Sequence, residues 1–153
     1  MNPFSELVSK FDKANAEMQA LIHDAPRIAG VVGVKVIKEN FALQKFDSGN
    51  GGEPWGQRKP ATDRAYDRRW GVKGTVYKSS NPILVQTGNL RDSITFEADG
   101  SNVRIGTDIS YAKAHNEGEN NEPKRKFLDY SPKLETEFKN ELDRKTTQIM
   151  NKI

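Results

Sequence analysis

Ser93-Ile94-Thr95-Phe96-Glu97 and Val103-Arg104-Ile105-Gly106-Thr107 alternate in the manner of strands, with the turn signal Asp99-Gly100 between them. Alternation with period two sets one row of side chains on each face of a strand, and an Asp-Gly pair accepts the positive φ of a tight connection. The stretch predicts a β-hairpin over residues 93–107. An antiparallel sheet this small offers one face to helices.

Those helices are legible on both sides. Downstream, Ser131-Pro132 precedes Leu134, Phe138, Leu142, Ile149 and Ile153, which predicts a capped amphipathic helix from about 132 to the end. Upstream, Phe4, Leu7, Val8, Phe11, Ala14, Met18, Leu21 and Ile22 recur at steps of three and four, so residues 3–24 read as a helix capped by Asn2-Pro3. Asp24-Ala25-Pro26 reads as its stop, because the residue before proline avoids the helical region. Ile28, Val32, Val36 and Leu43 then suggest a second helix over 27–46. Gly30 and Gly33 there could let another helix pack close, and the β-branched run from Val31 to Ile37 leaves a buried strand as the alternative. The expectation is a single α+β domain over 1–153, with N-terminal helices, a small antiparallel sheet and a C-terminal helix.

Between helices and hairpin lies a long polar arm, at about 47–82. It opens on Asp47-Ser48-Gly49-Asn50-Gly51-Gly52-Glu53-Pro54, which is turn chemistry throughout. From Gln57 to Lys78 seven basic residues face two acidic ones, a local +5 in a chain whose formal charge is +3. Trp55, Arg58, Lys59, Arg64, Tyr66, Arg68, Arg69, Trp70 and Lys73 interleave charge with aromatic rings. That mixture suits contacts with neighbouring subunits, where Arg and aromatic residues are enriched. It also suits phosphate neutralisation and base stacking, so DNA is the second partner to consider.

Composition bounds the chemistry. A chain of 153 residues, 35% hydrophobic and 29% charged, can form one core with polar excursions. It has no cysteine, so disulfides and thiolate sites drop out, in keeping with a reducing cytoplasm. No long apolar run and no leader pattern at Met1-Asn2-Pro3-Phe4 point to a soluble chain without membrane or secretory targeting. His115 beside Glu117, Glu119 and Glu122 invites a metal or general-base reading, but one histidine without a second histidine or cysteine is a poor ligand set. No Gly-x-Ser-x-Gly elbow accompanies Ser93 or Ser110, and no Gly-Lys-Ser/Thr follows Gly49, Gly51 and Gly52. The expectation is a protein that is not an enzyme and carries no cofactor or metal.

Four ordered blocks carry a resemblance. They are Ile83-Leu84-Val85-Gln86-Thr87-Gly88-Asn89-Leu90-Arg91-Asp92-Ser93-Ile94; Val103-x-Ile105-Gly106-Thr107; Tyr111-Ala112-x-x-His115-Asn116-x-Gly118; and Pro123-x-Arg125-x-Phe127-Leu128. In this order they resemble the phage virion-morphogenesis and tail-completion family. The departures are Ala114, where that family often has a larger aliphatic residue, and Lys126, where proline is common. The resemblance implies architectural roles for Thr87, Gly88, Leu90, Ser93, Gly106, Tyr111, Ala112, His115, Gly118, Pro123, Arg125, Phe127 and Leu128.

Read physically, Thr87 can cap a helical turn at 89–93 that points Leu90 and Ile94 inward. Tyr111, Ala112 and His115 fit a short helix stopped by Gly118. The family further implies tail completion or head-to-tail joining, as a ring of identical subunits in contact with other tail or head-tail proteins. DNA would pass through that ring, and the chain would move from host cytoplasm into the virion. Glu117, Glu119 and Glu122 lie just before Lys124, Arg125 and Lys126, so opposite charges could pair between neighbouring copies.

Overall fold

The computed structural model describes residues 2–47, 49, 51–56, 83–85 and 87–153. Its spine is α1, Pro3–Leu43, a helix of 41 residues that at 1.5 Å per residue runs about 60 Å. The Asn2 carboxamide accepts from the Phe4 N–H at 3.1 Å, and Gln44 closes the other end in the left-handed region at φ 54. The expected break at Asp24-Ala25-Pro26 is absent, so the two predicted helices are one.

An internal proline removes one helical hydrogen bond and costs about 3 kcal/mol. Three features bridge it here. Asp24 and Arg27 form a bidentate pair across Pro26, at 2.7 and 3.0 Å. The C-terminal helix α4, Pro132–Met150, lies alongside: Glu17, Ala20, Leu21, Asp24 and Ile28 face Lys145, Gln148, Ile149 and Lys152 across one shallow groove. Beyond the proline, Ile28, Val36, Ile37 and Phe41 are buried, each worth roughly 1.5–3 kcal/mol. Together these outweigh the lost bond.

The backbone settles the Val31–Ile37 ambiguity in favour of helix, since α1 runs unbroken through it. Gly30 and Gly33 do admit a close neighbour, but it is the hairpin and not another helix: a methyl at Gly30 would overlap the Phe96 ring, and one at Gly33 the Ile105 side chain. That hairpin is β3 (Thr95–Asp99) against β4 (Asn102–Gly106), antiparallel with Phe96 opposite Ile105 and Asp99 opposite Asn102. Gly100 supplies the positive φ of 54° at the turn. The hairpin and the C-terminal helix stand where the sequence puts them, and the α+β class holds.

A second ribbon was not foreseen. β1 (Lys45–Phe46) pairs antiparallel with β2 (Glu53–Pro54), closing the glycine-rich loop on itself. Two short helices complete the set: α2, Asn89–Asp92, and α3, Ala112–Glu117. α4 is capped by Ser131, whose hydroxyl accepts from the Leu134 N–H at 3.2 Å. Lys133 ties its first turn to α1 through Glu39 at 3.1 Å and to Asp47 at 3.3 Å.

Candidate assembly site

The sequence blocks converge on one hydrophobic cluster at the C-terminal end of α1. Ile37, Phe41, Trp55, Ile83, Leu90, Ile94, Ala112 and Phe127 form it. Phe41 is its hub, edge-on to Trp55 at 5.3 Å and tilted on Phe127 at 5.1 Å. Each motif contributes through local structure. The Thr87 hydroxyl accepts from the Asn89 N–H at 3.3 Å, Gly88 takes φ 75 at the start of α2, and Leu90 is thereby driven inward. Ser93 donates to the Leu90 carbonyl at 2.9 Å and shares a hydrogen bond with Thr107 at 2.6 Å, fixing α2 to the root of the hairpin just past Gly106. Ala112 is buried at the start of α3, and Gly118 stops that helix at φ 78 as expected.

Two asparagines and a glutamine outside the predicted site residues complete the mesh. Asn116 accepts from the N–H groups of Phe127 and Leu128, both at 3.0 Å, and donates to the Leu128 carbonyl at 3.0 Å. Asn40, 1% exposed, donates to the Phe127 carbonyl at 3.1 Å and accepts from the Asp47 N–H at 3.1 Å. The sequence signal for Asn40 was a polar residue on the apolar face that carries Val36 and Ile37. Gln44 grips Ile83 with both ends of its carboxamide, donating to the Ile83 carbonyl at 3.1 Å and accepting from its N–H.

These contacts hold the two points from which the basic segment departs and to which it returns. On one side Arg125, 4% exposed, donates through Nε to the Gly56 carbonyl at 3.0 Å, and its guanidinium stands 3.7 Å from Glu122. Pro123 packs against Gly56 from the same loop. On the other side Gln44 holds Ile83. Trp55 was grouped with the arm, and this is corrected: it is 4% exposed, with its indole N–H donating to the Lys126 carbonyl at 2.6 Å. The packed body thus extends to Gly56, past the expected arm boundary near residue 47. Arg58, Lys59, Arg64, Tyr66, Arg68, Arg69, Trp70 and Lys73 lie outside the described residues.

His115 is part of this architecture. Its Nδ1 is buried with no hydrogen-bond partner among the described residues, and its ring meets Tyr111 edge-on at 5.9 Å. Burial holds its pKa below the ordinary histidine value, with the Arg125 cation adding to the effect and Glu122 opposing it. Among the described residues no group of three or more His, Asp or Glu side chains could hold a metal ion. The acidic loop, expected to pair with neighbouring copies, also has partners in its own chain: Glu119 with Lys113 at 2.8 Å and Glu122 with Arg125. Lys126, at the family's usual proline position, lies 5.5 Å from the Phe46 ring centre and pairs with Asp129.

What this mesh defines is a scaffold of the α+β class whose polar groups are spent on holding loops. Comparison with family models matches residues 8–146 to the phage virion morphogenesis family, and the chain belongs to that family. It is a structural and assembly family, so the role of the chain lies in building phage particles. Searches of curated proteins and of solved structures gave no significant match. No described helix is long and apolar enough to cross a membrane.

Proposed function

We propose that the protein completes the phage tail or joins head to tail, as a ring of identical subunits, and that the segment 57–82 is the element each subunit extends to its neighbour or to other tail proteins. The observation that carries this reading is the double clamp on that segment. Arg125 at Gly56 and Gln44 at Ile83 fix both of its ends to the core through residues of the family blocks or beside them. Fixing the backbone on both sides of a binding segment lowers the conformational entropy that its contacts with a partner must overcome. A closed ring requires each subunit to meet the next through two different surfaces, and a segment that one subunit contributes to a separate receiving face on the next would meet that requirement.

DNA contact is the second reading, favoured by the local +5 of residues 57–78. Light scattering coupled to size exclusion, over a concentration series at low and high salt, separates the two. The ring reading predicts a discrete species well above a dimer. A species that never exceeds two copies, together with DNA affinity falling steeply as salt rises, would replace it with the DNA reading.

A further inference from the structure

The first half of α1 carries a largely apolar line that the described chain leaves uncovered. Phe4, Val8, Phe11 and Ile22 are 71, 42, 54 and 62% exposed. With exposed Asn15 and half-buried Met18 between them, the line runs 4, 8, 11, 15, 18, 22. Residues 4, 11 and 18 repeat at seven, and so do 8, 15 and 22. A repeat of seven keeps a seam facing another helix along its length, with side chains packing as knobs into holes.

We propose that this seam docks on the same segment of a second copy of the chain, as an antiparallel helix pair. The order of residues is self-complementary in that arrangement. Turned about a two-fold axis near residue 13, Phe4 faces Ile22 of the partner subunit, Val8 faces Met18 of the partner subunit, and Phe11 faces Asn15 of the partner subunit. The large Phe11 ring thereby meets a shorter side chain next to the axis. Asn15 is the one polar residue in the line, and set beside Phe11 of the partner subunit near the axis it lowers the stability of the pair.

Direction follows from what lies further along α1. Gly33 stands eleven residues, about three turns, beyond Ile22 and so on the same side of the helix, where Ile105 packs against it and Phe96 against Gly30. A parallel partner would set Asn15 against its own mate, but it would also run on into the level that the hairpin occupies. The antiparallel partner ends in time: its Pro3 arrives level with residue 23, short of Gly30.

The neighbouring side of the segment is already occupied by the end of α4, through Lys152 on Glu17 and Lys10 on the Ile153 carbonyl at 3.3 Å. One open seam beside one closed side favours a pair over a larger bundle. The exposed shares of Phe4, Leu7, Val8, Phe11 and Ile22 amount to roughly 450 Å² in each copy, so pairing removes up to about 900 Å² of apolar surface. With flanking polar atoms added, this reaches the roughly 1,000 Å² at which specific interfaces begin. Asp12, beside the seam near the axis, faces its own symmetry mate and weakens the pair.

This pairing is two-fold and closes at two copies, so it stands apart from the ring; if both form, it joins two rings face to face. The test is light scattering on the intact protein and on Val8→Glu, with circular dichroism to show that both are folded. Val8 projects from an exposed helix face, so the variant keeps its fold. The mass is expected to halve in Val8→Glu, from dimer to monomer or from double ring to ring, and Asp12→Asn is expected to tighten the association several-fold.

Because the chain lacks cysteine, orientation can be read directly. A mixture of Val8→Cys and Met18→Cys proteins should form the mixed disulfide on oxidation, in preference to either self-linked dimer. A wild-type protein that is monomeric at every concentration would overturn the pairing. So would a mass unchanged by Val8→Glu, including a ring that persists intact, and so would self-linking of Val8→Cys in preference to the mixed product, which is the mark of a parallel pair.

Discussion

Trp55 shows how one side chain can serve both the core and the segment it precedes. Its ring lies edge-on to Phe41, and its indole N–H satisfies the Lys126 carbonyl, next to the residue that clamps Gly56. Trp55→Ala should cost about 3–5 kcal/mol in chemical denaturation, and Trp55→Phe less, about 1–3 kcal/mol, because it keeps burial but leaves a carbonyl unpaired.

His115 gives a pH signature at the same scale. The folded state holds its imidazole neutral to a lower pH than the unfolded chain does, so the unfolded state binds the proton first. Stability from this site is complete above the ordinary histidine value and is lost as pH falls from there toward the lowered folded value. Denaturation midpoints measured across that interval should decline in the wild type and decline less in His115→Gln. Neither feature of these two residues was legible beforehand. A tryptophan in a polar, glycine-rich stretch looks like surface, and only the fold shows that the β1–β2 ribbon returns it to Phe41.

At the scale of elements, period and capping carried most of the reading. The hairpin followed from alternation around Asp99-Gly100, and α4 from Ser131-Pro132 with its apolar spacing. α1 did not follow, because proline is judged locally while the forces that keep this helix continuous are tertiary: α4 alongside, and the hairpin seated on Gly30 and Gly33. Pro26→Ala should therefore stabilise the protein, by about 1–3 kcal/mol, by restoring one backbone hydrogen bond in a helix that already runs through residue 26. A rise in thermal midpoint with an unchanged circular dichroism spectrum is the expected result. Similarly, Asn40 and Gln44 escaped notice because an amide on a helix has no sequence mark that says which loop it will hold.

For the whole molecule, the family blocks were the most legible part of the candidate site, and the structure gives them a common purpose. Thr87-Gly88, Ser93, Asn116, Gly118 and Arg125 each position backbone around the cluster at the end of α1, and the basic segment leaves and rejoins the body beside that cluster. Among the described residues the core closes over Trp55, and the clamps are made to Gly56 and Ile83, on either side of the segment. The most direct measurement is therefore the assembly state, by light scattering, of a variant in which residues 57–82 are replaced by a short Gly-Ser linker. The account predicts a cooperatively folded protein that no longer forms the ring-sized species of the wild type; a variant that still forms it, or one that fails to fold cooperatively, would contradict the account.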